Sequence, residues 1–265
     1  MTSFRALHAP GQLLLLANAW DAGSARLIEA RGAPAIATTS AGLAWSRGYP
    51  DGDRLPQGVL RSALAEITRV VSVPLSVDVE GGYSSDPRVV GETVRTAVGA
   101  GAVGINLEDG TTSPDLLCRK IEAAREVAAQ AAVDLFVNAR CDVYLRRLVA
   151  AESALPETLE RARRYRAAGC DGLFVPGVRE GAEIRELVGA LGELPLNVLW
   201  VPGLPALAEL RALGVRRLSA GSALAQRAYG AGSRAALRFL ASGDCDAADA
   251  AVGNPEMNAL FAGSA

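Results

Sequence analysis

The hydrophobic residues of the chain fall into short runs that alternate with longer segments in which apolar and polar positions recur at helical spacing. We count eight such runs in the 265 residues. Each is apolar at successive positions, which is typical of parallel strands that helices cover on both faces. The predicted strands are residues 13–17, 35–39, 75–80, 103–108, 135–140, 172–176, 197–201 and 217–221.

The segments between these runs favour helices. Gly101, Gly169 and Gly214 follow three of them, at the position where a helix ends in a left-handed residue. Eight β–α units predict an α/β fold, the closed (β/α)₈ TIM barrel, rather than an open doubly wound sheet. No GxGxxG follows the first strand, so a dinucleotide site loses its main support. The predicted helices are residues 60–71, 88–100, 117–131, 157–168, 180–191 and 205–213.

The C-terminal segment differs in composition from the rest of the chain. After residue 241 it is rich in small residues and ends in a short apolar patch at 257–262. Because an exposed apolar patch is costly, we expect it to be covered. We therefore predict a barrel domain at 1–241 and a helical extension at 242–265, which docks on the barrel or on a neighbouring subunit.

Composition excludes several classes of function. The formal charge of −2 and the pI of about 5.6 argue against nucleic acid or an anionic membrane as a partner. His8 is the only histidine and the four cysteines form no CxxC pair, which removes histidine-based catalysis and a zinc site. The sequence has no signal-peptide pattern and no membrane-spanning apolar run, so we expect a soluble cytoplasmic protein.

Charged side chains end three successive predicted strands. Asp78 and Glu80 end the third, Glu108 the fourth and Arg140 the fifth. The carboxyl ends of barrel strands meet at one rim, where barrel enzymes carry their chemistry. Clustered carboxylates repel one another unless a cation lies among them, and a hard divalent ion with oxygen ligands meets that need. The sequence therefore predicts an Mg²⁺ site at this rim.

The second predicted strand ends in small and hydroxyl residues. Ser40, Ala41 and Gly42 expose backbone N–H groups that are suited to holding a carboxylate. The next loop carries Asp51 on a segment rich in proline and glycine, which is able to fold over the mouth of the barrel.

Taken together, these motifs resemble the isocitrate lyase/phosphoenolpyruvate mutase superfamily, and in particular its mutase-like group. The resemblance runs from about residue 18 to 221 and depends on the order TSAG, GYPDGD, VDVEGGY, GINLEDG, VNARCDVYL and LFVPG. It implies a Mg²⁺-dependent (β/α)₈ enzyme that makes or breaks C–C or C–P bonds next to a 2-oxo or 2-hydroxy carboxylate. In such enzymes the metal polarises the substrate oxygens and stabilises an enolate.

The resemblance also implies roles for the metal-binding residues. Asp78 is expected to bind Mg²⁺ directly, while Glu80 and Glu108 hold metal-bound waters. Asp51 corresponds to a rim aspartate that touches the metal's water shell. Asp51 and Glu108, together with Arg140, are the residues expected to act in catalysis.

A second set of residues is implied for the substrate. Ser40, Ala41 and Gly42 are expected to clamp its carboxylate, and Arg140 to pair with its charge as a bidentate donor. Asn138 belongs to the same strand-end motif and is included among the substrate-binding residues.

The sequence departs from the superfamily pattern in two places. The loop after the fourth strand is short and lacks the KKCGH or KRCGH segment that supplies a catalytic cysteine in the lyases. Cys118 lies outside that motif, and Lys120 lies inside a predicted helix, where we expect it to face solvent. The sixth strand ends in Val175, Pro176 and Gly177, where the mutase has a histidine.

These features predict a Mg²⁺-dependent lyase that cleaves a C–C bond next to the carboxylate of a short 2-oxo or 2-hydroxy acid, through a metal-stabilised enolate. The alternatives are a phosphonopyruvate mutase or hydrolase and a non-catalytic 2-oxo acid binding protein. The resemblance further implies a homo-oligomer, a dimer or a tetramer, in which subunits exchange a C-terminal helix.

Overall fold

The computed structural model describes residues 3–245 and 252–262. Within them, parallel strands form one sheet with the order β1-β9-β8-β7-β6-β5-β4-β3-β2. β2 continues the first predicted strand after a break that follows β1, so the sheet runs round a nearly closed barrel. The predicted (β/α)₈ barrel is confirmed. The strands are β1 (Leu14–Leu16), β2 (Asn18–Ala19), β3 (Ile36–Thr38), β4 (Leu75–Asp78), β5 (Gly104–Glu108), β6 (Phe136–Arg140), β7 (Gly172–Val175), β8 (Leu196–Leu199) and β9 (Arg217–Ser219).

Helices connect the strands and cover the outside of the barrel. All six predicted helices are present, although their ends shift by up to six residues because N-caps such as Asp86 and Ser113 lie before the first apolar position. Gly101, Gly169 and Gly214 have positive φ at the predicted helix ends. The helices are α1 (Ala22–Ala30), α2 (Ser40–Ser46), α3 (Gln57–Val70), α4 (Pro87–Gly99), α5 (Pro114–Gln130), α6 (Val143–Arg146), α7 (Ala151–Ala167), α8 (Gly181–Leu191), α9 (Leu207–Ala212), α10 (Ala223–Ser242) and α11 (Asn254–Phe261).

A short 3₁₀ helix, Arg5–His8, packs against the N-terminal end of the barrel. The His8 ring stacks on Phe136 with the centroids 4.2 Å apart, and burial lowers the pKa of His8 to about 3. Phe136 begins β6 and Arg140 ends it, so the histidine lies roughly 13 Å along the strand from the polar rim. The neutral His8 ring is therefore part of the barrel packing, far from the rim.

The C-terminal residues contact the barrel's own first helix. The Arg26 Nε atom donates to the Leu260 carbonyl at 2.7 Å, and Arg31 forms an ion pair with Glu256 at 2.8 Å. Residues 246–251 and 263–265 of the predicted extension lie outside the described residues. In the part of the chain that is described, no helix has both the length and the apolar character needed to cross a membrane.

Candidate active site

The carboxyl ends of β4, β5 and β6 bring the predicted charged residues to one rim. In the register of the sheet, Asp78 pairs with Asn106 and Glu108 pairs with Arg140. The Arg140 Nη1 atom lies 2.5 Å from Glu108 Oε2, so the acidic end of β5 meets the basic end of β6 directly. The carboxylates of neighbouring strands and this guanidinium therefore share a single site.

Glu80 is held by backbone contacts on two sides. Its carbonyl accepts from the Glu108 N–H at 2.9 Å, and its own φ of 51° is in the left-handed region. The Oε2 atom accepts from the Gly52 N–H at 3.0 Å and from the Asp53 N–H. Only 4% of Glu80 is exposed, and the Tyr83 hydroxyl also interacts with its carboxylate. Its second oxygen, Oε1, has no partner at hydrogen-bond distance among the described residues. The Glu80 carboxylate is thus fixed, with one oxygen uncommitted.

The loop before α3 folds against the rim, as its proline and glycine content predicted. Asp53 anchors it, because its Oδ1 atom accepts from the backbone N–H groups of Gly81 at 3.2 Å and Tyr83 at 3.0 Å. Burial, and then the charge of Asp78, raises the pKa of Asp51. Asp51 therefore lies within the electrostatic field of the rim carboxylates.

Ser40, Ala41 and Gly42 form the first turn of α2 rather than a free loop. The Ser40 N–H donates to Asp78 Oδ2 at 3.1 Å, which links the end of β3 to the end of β4. A Cβ atom on Gly42 would lie 2.8 Å from side-chain carbons of Thr39 and Trp20, so only glycine fits here. These residues border the rim, and one of their N–H groups already binds a rim carboxylate.

Asn138 lies one layer deeper in the barrel than Arg140. It is 1% exposed, and its Nδ2 atom donates to Asn106 Oδ1 at 2.9 Å. Arg217 donates to the same oxygen at 3.2 Å from inside the barrel. Burial lowers the pKa of Arg217 to about 9, while the charge of Asp78 opposes this shift. A buried polar layer with a guanidinium therefore lies beneath the carboxylates.

Sequence reasoning missed the residues that hold Arg140 in place. Asp142 is fully buried and accepts from Arg140 Nε at 2.7 Å and from Arg140 Nη2 at 3.1 Å. The same carboxylate accepts from Arg146 Nε at 2.7 Å. The Asp142 N–H in turn donates to buried Asp109 at 2.9 Å. The sequence did carry a signal for this contact, the RCD motif at residues 140–142, since an acid two residues after an arginine can form a bidentate pair with it.

Lys120 is buried, so the prediction that it faces solvent was wrong. It is 4% exposed, and its Nζ atom donates to the Gly81 carbonyl at 2.5 Å. Burial lowers the pKa of Lys120, whereas the charges of Asp53 and Glu108 favour the ammonium. The helical spacing does place Lys120 on the buried face of α5, next to Leu117 and Ile121. What the sequence could not show is the acceptor, which the loop after Glu80 supplies.

Two buried carboxylate oxygens at the rim, Asp78 Oδ1 and Glu80 Oε1, lack a hydrogen-bond partner among the described residues. Glu108 Oε2 forms no hydrogen bond with them either, but it lies in an ion pair with Arg140 Nη1 at 2.5 Å. Burial raises the pKa of Glu80 to about 7 and that of Glu108 to about 8, and the charge of Asp78 adds to both shifts. Orphaned anionic oxygens in mutual repulsion fit a divalent cation.

Among the described residues, no three His, Cys, Asp or Glu side chains come together closely enough to hold a metal ion between them. Mg²⁺ keeps several waters and takes only one or two carboxylates directly. A closed cage of protein ligands is therefore not required for the ion that the sequence predicts.

The raised pKa values of Glu80 and Glu108 predict a pH dependence of stability in EDTA. Each carboxyl holds its proton to a higher pH in the folded state than in the unfolded chain, whose glutamate pKa is about 4.5. The stability they contribute is therefore complete below pH ~4.5 and is lost as the pH rises through about 7 to 8. We expect a loss on the order of a few kcal/mol, read as a lower melting temperature at pH 8 than at pH 5.5.

Glu80→Gln provides the matched control for this measurement. The variant should lose part of the pH dependence, since one of the two titrating groups is gone. Mg²⁺ at about 5 mM should stabilise the native protein more at pH 8 than at pH 5.5, because the metal binds the deprotonated carboxylates. Equal melting temperatures for the native protein at both pH values in EDTA would refute the electrostatic description of the rim.

Comparison with known proteins finds relatives that match most of this chain. The family model for phosphoenolpyruvate phosphomutase matches residues 4–240. An uncharacterized protein of Mycobacterium tuberculosis is 41% identical over 83% of this chain and 82% of its own length. The 2-methylisocitrate lyase of Escherichia coli is 29% identical over 70% of this chain and 68% of the enzyme. A crystal structure from Burkholderia cenocepacia J2315, described as a candidate phosphonomutase, is 44% identical with a TM-score of 0.82, covering 88% of this chain and 96% of that one.

Proposed function

The chain belongs to the phosphoenolpyruvate mutase/isocitrate lyase superfamily, and from this membership and the rim geometry we propose that it is a Mg²⁺-dependent lyase. The substrate is a short 2-oxo or 2-hydroxy carboxylic acid, and the bond that breaks is a C–C bond next to its carboxylate. The observation that carries the proposal is the pair of buried carboxylate oxygens without a hydrogen-bond partner in the described residues, Asp78 Oδ1 and Glu80 Oε1, beside the Glu108–Arg140 ion pair.

The metal would be held chiefly by Asp78. Its Oδ1 atom is buried and free of hydrogen bonds, while Oδ2 is already bound by the Ser40 N–H. Glu80 Oε1 can accept from a coordinated water, and Glu108 Oε2, already paired with Arg140, has a second lone pair that can accept from another. When bound, Mg²⁺ supplies the positive charge that polarises the oxo and carboxylate oxygens of the substrate.

Arg140 would bind and orient the substrate carboxylate. Asp142 takes two of its N–H groups, which fixes the plane of the guanidinium, and only 16% of the side chain is exposed. A preoriented guanidinium stabilises negative charge that develops on the substrate without reorganising first. The backbone of Ser40, Ala41 and Gly42 lies at the neighbouring strand end and would complete the carboxylate clamp.

The mouth has little cover on the side of β5. Only residues 110–113 separate Glu108 and Asp109 from the start of α5 at Pro114. A loop this short offers no acidic side chain that could supply the proton required by the leaving carbon, so we assign that role to a water molecule. Four residues also cover the site less than a long lid would, so we expect slow turnover.

We also propose that the protein works as a homo-oligomer. α10 has one buried residue, Ala225, and exposes Leu237, Phe239 and Leu240, the last at 83%. Beside it, Leu15 on β1 and Trp200 after β8 are more than 40% exposed. Apolar surface of this extent is typical of a face that another subunit covers.

The proposed function is tested by product release from a panel of 2-oxo and 2-hydroxy acids. We expect pyruvate, glyoxylate or CO₂ from at least one acid, and an activity that falls to background in EDTA and returns with Mg²⁺. Phosphorus NMR on phosphonopyruvate tests the mutase or hydrolase alternative in the same samples. Metal-dependent binding of these acids with no product at all would contradict the lyase and favour the binding protein.

A further inference from the structure

A second guanidinium, that of Arg146, stands at the mouth of the barrel. It ends α6, directly after β6, and its Nε atom donates to Asp142 Oδ2 at 2.7 Å. Its Nη2 atom lies 3.5 Å from Glu108 Oε1. Arg146 therefore contacts the same two carboxylates as Arg140 but approaches them from the solvent side, with 43% of its side chain exposed.

Arg140 and Arg146 differ in how many donors remain for a ligand. Asp142 and Glu108 contact all three nitrogen atoms of Arg140, so each of its two terminal nitrogens keeps only one N–H for the first substrate carboxylate, and the side chain is 16% exposed. Within the described part of the chain, Nε is the one nitrogen of Arg146 that forms a hydrogen bond, and the terminal nitrogens have one ion-pair contact at 3.5 Å. The outer guanidinium can thus bind a further anion without giving up the bond that positions it.

The backbone around Arg146 is held from behind. Gly177, which follows β7, has φ of 94°, and a Cβ there would lie 2.9 Å from the Leu145 N atom. The close approach of these two segments fixes α6, and Arg147 then ends the helix in a left-handed conformation. The position of the Arg146 guanidinium is thus set by packing on one side and by buried Asp142 on the other.

The two guanidinium groups are separated by a single carboxylate. Arg140 Nη1 contacts one oxygen of Glu108 and Arg146 Nη2 contacts the other, so these nitrogens are at most about 8 Å apart. A four- or five-carbon diacid is long enough to reach both. The matching spacing and the free donors of Arg146 indicate a second anion subsite at the mouth.

We propose that Arg146 is a specificity-determining residue that binds a distal carboxylate of the substrate, so that the site selects dicarboxylic over monocarboxylic 2-oxo or 2-hydroxy acids. The inference rests on the proposed function, since it takes the first carboxylate to lie at Arg140. The choice of substrate would then depend on Arg146, a residue that lies outside the superfamily motifs identified in this sequence.

Calorimetric titration with matched acids in the presence of Mg²⁺ tests the proposal. Malate and 2-hydroxybutanoate share four carbons and differ in one carboxylate, as do 2-oxoglutarate and 2-oxopentanoate with five carbons. In at least one pair the native protein should bind the diacid about tenfold more tightly or better. Arg146→Gln should reduce this preference to about twofold or less while leaving the Kd of the monoacid within about twofold.

Arg146→Lys should retain part of the preference, because a lysine keeps the charge but not the fork of donors. Arg147→Gln removes the same charge from the adjacent residue and should keep the native preference. Equal affinities within both pairs for the native protein, or equal loss of diacid and monoacid affinity in Arg146→Gln, would overturn the assignment to Arg146 and leave the proposed lyase standing. Absence of binding by every acid would overturn both.

Discussion

Asp78→Asn is expected to lower kcat/KM for any substrate of this protein at least about a thousandfold, equivalent to roughly 4 kcal/mol of transition-state stabilisation. The oxygen of the introduced amide would still accept the hydrogen bond from the Ser40 N–H, so the local backbone is preserved. The variant loses the negative charge of the Asp78 carboxylate, whose unpartnered Oδ1 atom would bind Mg²⁺ directly. Product release under saturating Mg²⁺ measures the effect.

A stability measurement separates this loss from misfolding. In EDTA the melting temperature of Asp78→Asn should equal or exceed that of the native protein, because one of the repelling carboxylates is gone. The increase that Mg²⁺ causes in the native protein should vanish. Asp115→Asn removes a carboxylate that is exposed on α5 and should keep native activity. A fully active Asp78→Asn would rule out Asp78 as the metal ligand.

Arg140→Lys is expected to lower kcat/KM about a hundredfold or more. Lysine keeps the charge but cannot donate two bonds to Asp142 while facing Glu108, so the orientation of the cation is lost. Buried Asp142 would lose its bidentate partner, and we expect the free energy of unfolding to fall by about 1–3 kcal/mol. Steady-state kinetics and denaturant titration measure the two effects.

Arg125→Lys is the matched control for Arg140→Lys. Arg125 also binds a carboxylate and two backbone carbonyls with a single guanidinium, but its partners Leu135, Gly169 and Asp171 lie at the opposite end of the barrel. This variant should lose stability and keep kcat/KM. If both lysine variants lost activity in proportion to their stability, Arg140 would be a structural residue and not part of the substrate site.

The sequence predicted the barrel well because its strands are buried on both faces, which leaves continuous apolar runs such as 172–175. The first run was more difficult, since the structure ends β1 at Leu16 and resumes the strand as β2. The short helices α2 and α6 escaped prediction because 7 and 4 residues are too few to display a helical period. Their formation depends on contacts with neighbouring strand ends.

The candidate site could be predicted only in part. Asp78, Glu108 and Arg140 end strands, and a barrel brings strand ends together whatever the loops do. Asp53, Asp142 and Arg146 contribute through the segments that connect strands, the left-handed Asp53 at φ 56° in a loop and the other two at the ends of the short helix α6. Such backbone conformations follow from tertiary contacts, so a linear pattern does not reveal which partner each side chain meets.

The central claim is that the rim carboxylates hold one divalent ion at Asp78. Anomalous diffraction from crystals soaked with Mn²⁺, which shares the oxygen ligands and octahedral geometry of Mg²⁺, tests it most directly. We predict a single strong peak at the rim, about 2.1 Å from an oxygen of Asp78, with Glu80 and Glu108 reaching it through waters. The account would be contradicted if the rim showed no peak in crystals whose other Mn²⁺ sites are fully occupied. A peak at the rim that does not touch Asp78 would contradict it as well.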